Sequence, residues 1–215
     1  MAFPGRLVVA LAGLLPAMVS AATIVIGDFA DNGLRNWQEK SFQGYTDYEL
    51  VIEDGRRVAH AESDASASGL YREQTIDLTQ TPILEWRWKI ANVLKDIDEP
   101  TKAGDDYPAR VYVVFSGGLA FWRTRTVVYV WSSHQPQGST WHNAYMDNAR
   151  MIALQSGKEK TGQWLTERRN VRADYERLFG DDVEQADAVA IMTDTDNSAQ
   201  QAEAWYGDIR FTDQP

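Results

Sequence analysis

Acidic side chains are the groups of this chain best suited to chemistry, and they concentrate in residues 193–197 and 104–110. In an extended segment, Asp194 and Asp196 point to the same side with their Cα atoms about 6.5–7 Å apart. That spacing suits two oxygen ligands on one Ca²⁺ ion, or two carboxylates on either side of a glycosidic bond. It also suits a polar turn that closes a hairpin, in which the carboxylates accept backbone N–H bonds. All three interpretations remain open from the sequence.

The second segment carries two adjacent carboxylates, Asp105 and Asp106. Neighbouring residues of an extended chain point to opposite sides, so the two cannot share one substrate atom. We expect one of them to pair with Arg110 or Arg87, while the other faces the acidic segment 193–197. The functional interpretation is a cluster at one edge of a sheet with shifted pKa values. Its members would be Asp105 or Asp106, Lys89, Arg110, Asp194 and Asp196.

Strands must position these groups, because hydrophobic residues alternate along most of the chain. In residues 84–90, Leu84, Trp86, Trp88 and Ile90 share one face, and residues 111–115 repeat the pattern. Many short strands without intervening helices predict an all-β fold, a two-sheet antiparallel β-sandwich. Besides 84–90 and 111–115, the predicted strands are 23–29, 48–53, 58–62, 70–76, 127–131, 151–155, 164–171, 188–192 and 209–211.

One short helix is predicted after the strand at 164–171. Asp174 is the predicted N-terminal cap, and Gly180 is the predicted stop. Tyr175, Leu178 and Phe179 then fall on one helical face.

Composition and the N-terminus predict export. Residues 1–22 combine Arg6, an apolar stretch and small residues near Ala21, which is typical of a signal peptide, so we expect residues 23–215 to form a single β-sandwich domain. The apolar stretch is shorter than the ~20 residues of a membrane span. The net charge of −10 disfavours nucleic acid and anionic membrane surfaces as partners. The chain contains no cysteine, so its core must stabilise it without disulfides.

Further side chains have a functional and a structural interpretation. Trp122, Trp141 and Trp205 are either sugar-stacking platforms or packing residues at the rim. Arg168 and Arg172 either clamp a carboxylate or pair with acidic residues of this chain. The three histidines, His60, His134 and His142, show no metal-ligand spacing, so we interpret them as solvated and expect no zinc catalysis. Nucleophile-elbow, P-loop and dinucleotide motifs are absent from the sequence.

The chain resembles an exported bacterial family, the domain of unknown function numbered 3047. The segments that carry the resemblance are 86–89, 104–115, 129–131, 167–171, 174–175 and 191–197. The resemblance implies a jelly roll similar to galactose-binding-like domains and transfers no catalytic residue. Domains of that fold often hold a structural Ca²⁺ where the first and last strands meet. By this analogy Asp28 and Asp208 are candidate metal ligands.

Three functions follow as hypotheses. The first is a periplasmic or secreted protein that binds a glycan or another envelope polymer through a polar strand face, formed by Arg87, Lys89, Arg110 and Tyr112. The second is a hydrolase or lyase acting on such a polymer, with Asp106, Asp194 and Asp196 as acid, base or metal ligands. The third is a structural interaction protein of the envelope. The ligand and the oligomeric state stay open at this stage.

Overall fold

The computed structural model describes residues 22–120 and 123–213. The predicted signal peptide therefore lies outside the described residues, apart from Ala22. Strands make up most of the described chain. In order they are β1 (Thr23–Gly27), β2 (Gln38–Gln43), β3 (Asp47–Glu53), β4 (Arg56–Asp64), β5 (Ala67–Asp77), β6 (Ile83–Ile90), β7 (Tyr107–Phe115), β8 (Arg125–Ser132), β9 (Thr140–His142), β10 (Ala149–Ser156), β11 (Leu165–Asn170), β12 (Gln185–Asp194) and β13 (Gln201–Thr212).

The strands form the two sheets of a jelly-roll β-sandwich, as predicted. The first sheet has the order β11-β6-β13-β4-β3, and β1 pairs with the C-terminal part of β13. The second sheet has the order β2-β5-β12-β7-β8-β10-β9. All pairs are antiparallel except β8 and β10, which run parallel. A long connection that contains β9 separates these two strands along the chain, and it allows β10 to return beside β8 in the same direction.

Aromatic side chains fill the space between the sheets. Trp86 and Trp88 on β6 are buried, as their alternation predicted. The ring of Trp86 lies 5.3 Å from Tyr129, and Trp88 lies 6.1 Å from Trp131, so β6 of the first sheet packs on β8 of the second. These large rings supply much of the apolar burial that stabilises a domain without disulfides.

A second, smaller core lies on the outer face of the second sheet. It consists of Tyr107, Val128, Val130, Ala149, Met151 and Ala153, with Trp141 of β9 packed against it. The connection between β8 and β10 thereby covers one half of the outer face. The other half, over β5, β12 and β7, stays open to solvent and forms the groove described below.

The predicted helix is α1 (Val171–Phe179), but its cap is not Asp174. Asn170, the last residue of β11, accepts a bond from the backbone N–H of Ala173 at 3.0 Å. Asp174 lies inside the first turn, where its carboxylate binds Arg169 and the hydroxyl of Tyr129. The predicted stop is confirmed, because Gly180 has φ 77° and donates its N–H to Glu176.

Two strands were missed. β2 is an edge strand whose residues are mostly exposed, so it lacks the alternation that marks a half-buried strand. β9 has three residues and offers no period to detect. A short 3₁₀ helix, Lys102–Gly104, also precedes the second acidic segment. Within the described ranges we find no helix long and apolar enough to cross a membrane.

Candidate functional site

An open groove of about 820 Å³ crosses the outer face of the second sheet. The floor of the groove is low because small residues occupy several outward positions of β5 and β12. Gly69 on β5 lies opposite Met192 on β12, and Tyr71 lies opposite Ala190. The small residues of the floor are Ala67, Gly69, Ala188 and Ala190.

Aromatic side chains flank this floor. Ala190 pairs with Tyr71 on one side and with Tyr112 of β7 on the other. Because neighbouring strands lie about 4.8 Å apart, the two tyrosines stand roughly 9–10 Å apart with an alanine between them. Phe42 and Tyr145 add further rings at the margins, and 68% and 54% of their surfaces are exposed. The row Tyr71–Ala190–Tyr112 forms a trough with two aromatic walls.

Arg110 occupies one end of the groove and is almost completely buried. Its Nε lies 2.9 Å from Oδ1 of Asp194, and its Nη2 contacts Oδ2 of the same carboxylate. The backbone N–H of Tyr107 also donates to Asp194, at 3.3 Å. Asp194 is therefore a structural partner of Arg110, with both oxygens occupied.

Asp105 and Asp106 diverge as the sequence predicted. Asp105 lies 3.7 Å from Nη1 of Arg110 and accepts bonds from the amide of Asn143 at 3.1 and 3.2 Å. Asp106 faces the acidic segment and accepts the backbone N–H groups of Asn197 and Ser198 at 3.2 and 2.6 Å. Gly104 permits this geometry, because a Cβ there would lie 2.5 Å from the carbonyl oxygen of Asp98.

The acidic segment does not close a hairpin. Asp194 ends β12 in the second sheet, and β13 begins in the first sheet, so residues 195–200 cross between sheets. Asp106 anchors this crossing through its two amide bonds, which leaves Asp196 half-buried at the groove. Asp106 and Asp194 thus hold the site together, and Asp105, Asp194 and Asp196 line the groove.

Two carboxyls at this end have raised pKa values. Burial raises the pKa of Asp105 above its ordinary value of 3.8, although Arg110 and Asn143 oppose the shift. Burial and the neighbouring charge of Asp106 raise the pKa of Asp196 above 3.8. Both groups therefore hold a proton at a higher pH than an exposed aspartic acid.

The acidic cluster offers oxygen ligands for a cation. Ligand atoms of Asp106, Asp194 and Asp196 lie within 4.8 Å of one another. Oxygen donors at such distances suit Ca²⁺, but the carboxylates of Asp106 and Asp194 already accept bonds from backbone amides and Arg110.

The predicted ligands Asp28 and Asp208 lie near each other, at the meeting of the first and last strands. Asp28 accepts bonds from the backbone of Asp31 and the side chain of Asn32, and Asp208 accepts the N–H of Phe29. Burial, together with the charge of Asp28, raises the pKa of Asp208. Across residues 22–120 and 123–213, no group of three or more potential ligands includes either residue. These two carboxylates organise a turn.

Arg87 and Lys89 do not join the groove. They lie on the outer face of the first sheet, on the opposite side of the sandwich from Arg110 and Tyr112. Arg87 lies 4.4 Å from the ring of Trp164, and Lys89 pairs with Glu53 and lies 4.1 Å from the ring of Trp205. The expectation of one polar strand face is therefore wrong. Alternation places Arg87 and Lys89 outward on the first sheet and Arg110 and Tyr112 outward on the second, and the outer faces of the two sheets lie on opposite sides of the sandwich.

The two described tryptophans among the predicted platforms pack against neighbouring rings. Trp141 stacks on Tyr107 in the second core at 6.4 Å, and Trp205 stacks on His60 at 5.0 Å. Trp122 lies outside the described residues. The aromatic walls of the groove are tyrosines and Phe42. The sequence singled out Tyr112 as part of a polar strand face. It did not distinguish Tyr71, Tyr145 or Phe42 from other aromatic residues, because their role depends on the small residues opposite.

Arg168, Arg172 and His60 all contact carboxylates of this chain. Arg168 lies 3.0 Å from Glu85, and Arg172 binds both oxygens of Asp182, so both arginines pair within the chain. His60 is 7% exposed, and its partners are carboxylates. The expectation of a solvated histidine is wrong for His60, because residues of neighbouring strands enclose it.

Residues 35–210 match the family described as a protein of unknown function, DUF3047. The chain belongs to this family. The match covers both acidic segments and all the strands that carry the groove of this DUF3047 member. No curated protein sequence matches the chain.

Solved structures with a similar fold include two carbohydrate-binding modules and a cellulase. A family 11 carbohydrate-binding module of the Clostridium thermocellum cellulase Lic26A-Cel5E shares 11% identity over 91% of this chain and 95% of its own, with a TM-score of 0.48. A family 30 carbohydrate-binding module from the same organism's Cel9D-Cel44B shares 13% over 83% and 92%, with a TM-score of 0.47. A cellulase derived from Cel12A of Rhodothermus marinus shares 9% over 87% and 100%, with a TM-score of 0.46. At these identities the likeness concerns the fold.

Proposed function

We propose that the protein binds an extended, neutral glycan chain along the groove of the second sheet. The observation that carries this proposal is the row Tyr71–Ala190–Tyr112, in which an alanine leaves space between two aromatic side chains. Sugar rings present flat C–H faces that pack on aromatic rings. A trough open at its top admits an internal part of a polymer, whereas a closed pocket would admit an end or a small molecule.

Polar groups around the trough suit a ligand rich in hydroxyls. Lys40 supplies donors, Glu73 and Asp196 supply acceptors, and Asn197 supplies both. The end near Arg110 carries four aspartates, Asp105, Asp106, Asp194 and Asp196, against one guanidinium. This excess of negative charge disfavours polyanionic polymers such as those built from uronic acids. A neutral polysaccharide is therefore the proposed ligand class.

Affinity electrophoresis tests the proposal. The purified protein is run through gels that contain neutral or acidic soluble polysaccharides, and it is mixed with insoluble cell-wall fractions. We expect retention by at least one neutral polymer. Tyr71→Ala removes a wall and Ala190→Phe fills the trough, so both variants are expected to lose retention.

Tyr45→Ala is the matched control, because Tyr45 is an exposed tyrosine outside the groove. It is expected to migrate like the wild type. If the wild type and both groove variants were retained equally, the polysaccharide would bind outside the groove. A wild type that no polymer retains would overturn the proposal.

A hydrolase is the second candidate, because Asp105 and Asp196 both have raised pKa values at one end of the groove. A carboxylic acid with a raised pKa can donate the proton that hydrolysis of a glycosidic bond requires. Reducing ends released from a retained polysaccharide, lost in Asp196→Asn, would support this activity. The absence of released ends from every retained polymer would restrict the protein to binding.

We infer that the protein is exported, from the signal-peptide pattern of residues 1–22. Export would bring the groove into contact with envelope or extracellular polymers. Mass spectrometry of the protein isolated from its native cells tests this inference. A first residue of Ala22 or Thr23 is expected, and an intact N-terminus would contradict it.

A further inference from the structure

A second polar site lies on the outer face of the first sheet, on the far side of the sandwich from the groove. Strand register aligns Glu49 of β3, His60 of β4, Trp205 of β13 and Lys89 of β6 in one row across four strands. Glu62 and Glu203 form the next row beside His60. The first sheet thus places three glutamates, Glu49, Glu62 and Glu203, around one histidine.

The imidazole of His60 is held in one orientation. Its ring stacks on Trp205 at a centroid distance of 5.0 Å and an angle of 25°, and the residue is 7% exposed. Its Nδ1 lies 3.4 Å from Oε1 of Glu49. Its Nε2 lies 2.8 Å from Oε1 of Glu203 and 3.9 Å from Oε1 of Glu62. Both ring nitrogens therefore face carboxylates.

This arrangement leaves a place for a cation at Nε2. A neutral imidazole has one N–H, so a proton on Nδ1 toward Glu49 leaves the Nε2 lone pair directed at carboxylate oxygens. The Nε2 lone pair and the carboxylate oxygens then repel each other unless a proton or a metal ion lies between them. The nearby ammonium of Lys89 does not neutralise the three glutamates, because it pairs with Glu53.

We propose that His60 Nε2, Glu62 and Glu203 bind a divalent transition metal ion of the zinc class. The three ligand atoms lie within 4.8 Å of one another, and ligand atoms about 2.0–2.2 Å from one zinc ion are roughly 3.4 Å apart in a tetrahedral shell. Glu62 is exposed and its side chain can rotate by the small amount needed. Water completes the coordination on the solvent side.

Glu49 supplies the outer contact that such sites use. A metal-bound histidine donates its second N–H to a carboxylate, which sets the tautomer and strengthens the ligand. The contact between Nδ1 of His60 and Glu49 has this form. The nitrogen donor distinguishes the site from the oxygen-only cluster at Asp106, Asp194 and Asp196, because imidazole favours zinc, nickel and copper over calcium.

Calorimetric titration of the purified protein with Zn²⁺, after treatment with a chelator, tests the site. One ion per chain is expected to bind and to raise the thermal midpoint, since a ligand specific to the native state stabilises it. His60→Ala is expected to abolish binding. Glu62→Gln is expected to weaken it at least about tenfold, and Glu49→Gln by about 10- to 100-fold.

His142→Ala is the matched control, because His142 is exposed on β9 of the other sheet and is expected to leave zinc binding unchanged. His60→Ala also removes the stack on Trp205 and can lower stability by itself. Glu62→Gln keeps the test decisive, since Glu62 has an exposed side chain. Equal zinc affinity in the wild type and Glu62→Gln, or no binding by the wild type, would overturn the proposal.

Discussion

Arg110 and Asp194 meet in a two-point contact between adjacent strands at one end of the groove. Nε of Arg110 lies 2.9 Å from Oδ1 of Asp194, and Nη2 contacts Oδ2. The two residues are 3% and 1% exposed. Because water cannot solvate either charge, each side chain needs the other, and the pair fixes the positions of Asp105 and the crossing segment beside it.

Asp194→Ala is therefore expected to destabilise the protein strongly. The substitution leaves the buried guanidinium of Arg110 without its main partner, which typically costs about 3–5 kcal/mol in the free energy of unfolding. Urea denaturation measures this quantity. Asp182→Ala breaks an exposed pair with Arg172 and serves as the control, for which we expect little change. Similar losses for the two variants would contradict the structural role of Asp194.

The aromatic wall of the groove is expected to act through its ring. Tyr71→Phe keeps the ring and removes a hydroxyl that donates to Gln38, so glycan affinity should stay within about twofold of the wild type. Tyr71→Ala removes the stacking surface and should lower affinity about two- to thirteenfold, in line with an aromatic contact of about 0.5–1.5 kcal/mol. Titration with the retained polysaccharide gives both values. Equal losses in the two variants would assign the effect to the hydroxyl.

The pH dependence of stability is expected to change in Asp105→Asn. Because burial raises the pKa of Asp105 in the folded state, the folded protein binds more protons than the unfolded chain above pH 3.8. The contribution of Asp105 to the free energy of unfolding is fully present below pH 3.8, and it is lost as the pH rises through the raised pKa of the folded state. Asparagine does not titrate and resembles the protonated acid.

Relative to the wild type, Asp105→Asn should therefore become more stable as the pH rises from about 4, by about 1.4 kcal/mol for each unit by which the pKa is raised. Unfolding in urea at several pH values measures this difference. Asp77→Asn is the contrasting variant. Hydrogen bonds from Thr79 lower the pKa of Asp77, so the wild-type carboxylate adds stability as the pH rises, and the asparagine variant should become less stable relative to the wild type. If the stability difference from the wild type changed with pH in the same direction for both variants, the opposite pKa shifts of Asp105 and Asp77 would be contradicted.

Glu99 is a structural residue that no sequence pattern revealed. Its buried carboxylate accepts the backbone N–H groups of Ser133 and Gln135 at 2.6 and 3.1 Å, together with the hydroxyl of Ser132. These bonds hold the start of the connection that covers the second core. Glu99→Ala removes the acceptor of the Ser133 N–H and of the Ser132 hydroxyl, and each buried donor left unpaired costs about 1–3 kcal/mol.

Glu99→Ala should therefore lower the free energy of unfolding by at least about 2 kcal/mol, as measured by chemical denaturation. Glu99→Gln retains one acceptor oxygen and should lose less. Glu184→Ala, at an exposed position, is the control and should remain close to the wild type. A Glu99→Ala variant as stable as this control would show that the connection does not depend on the carboxylate.

The sequence alone determined the sandwich, and it left open which charged residues pair. Alternation along residues 84–90 and 111–115 identifies which side chains are buried, because a strand has a period of two and one side of each sheet must leave water. Local spacing also predicted that Asp105 and Asp106 point apart, but not which of them faces Arg110 and which faces the crossing segment. These features depend on residues close together along the chain or on a property of every strand.

The tertiary structure decided which outward-facing residues lie on the same side of the sandwich. Arg87 and Arg110 both point outward, but they belong to sheets that face opposite ways, and alternation contains no information about which sheet a strand joins. The groove depends on Ala190 lying between Tyr71 and Tyr112, and the site at His60 depends on Glu49 and Glu203 lying on the two adjacent strands. Such relations arise from strand order and register, which link residues as far as 143 positions apart and are set by the packing of the whole sandwich.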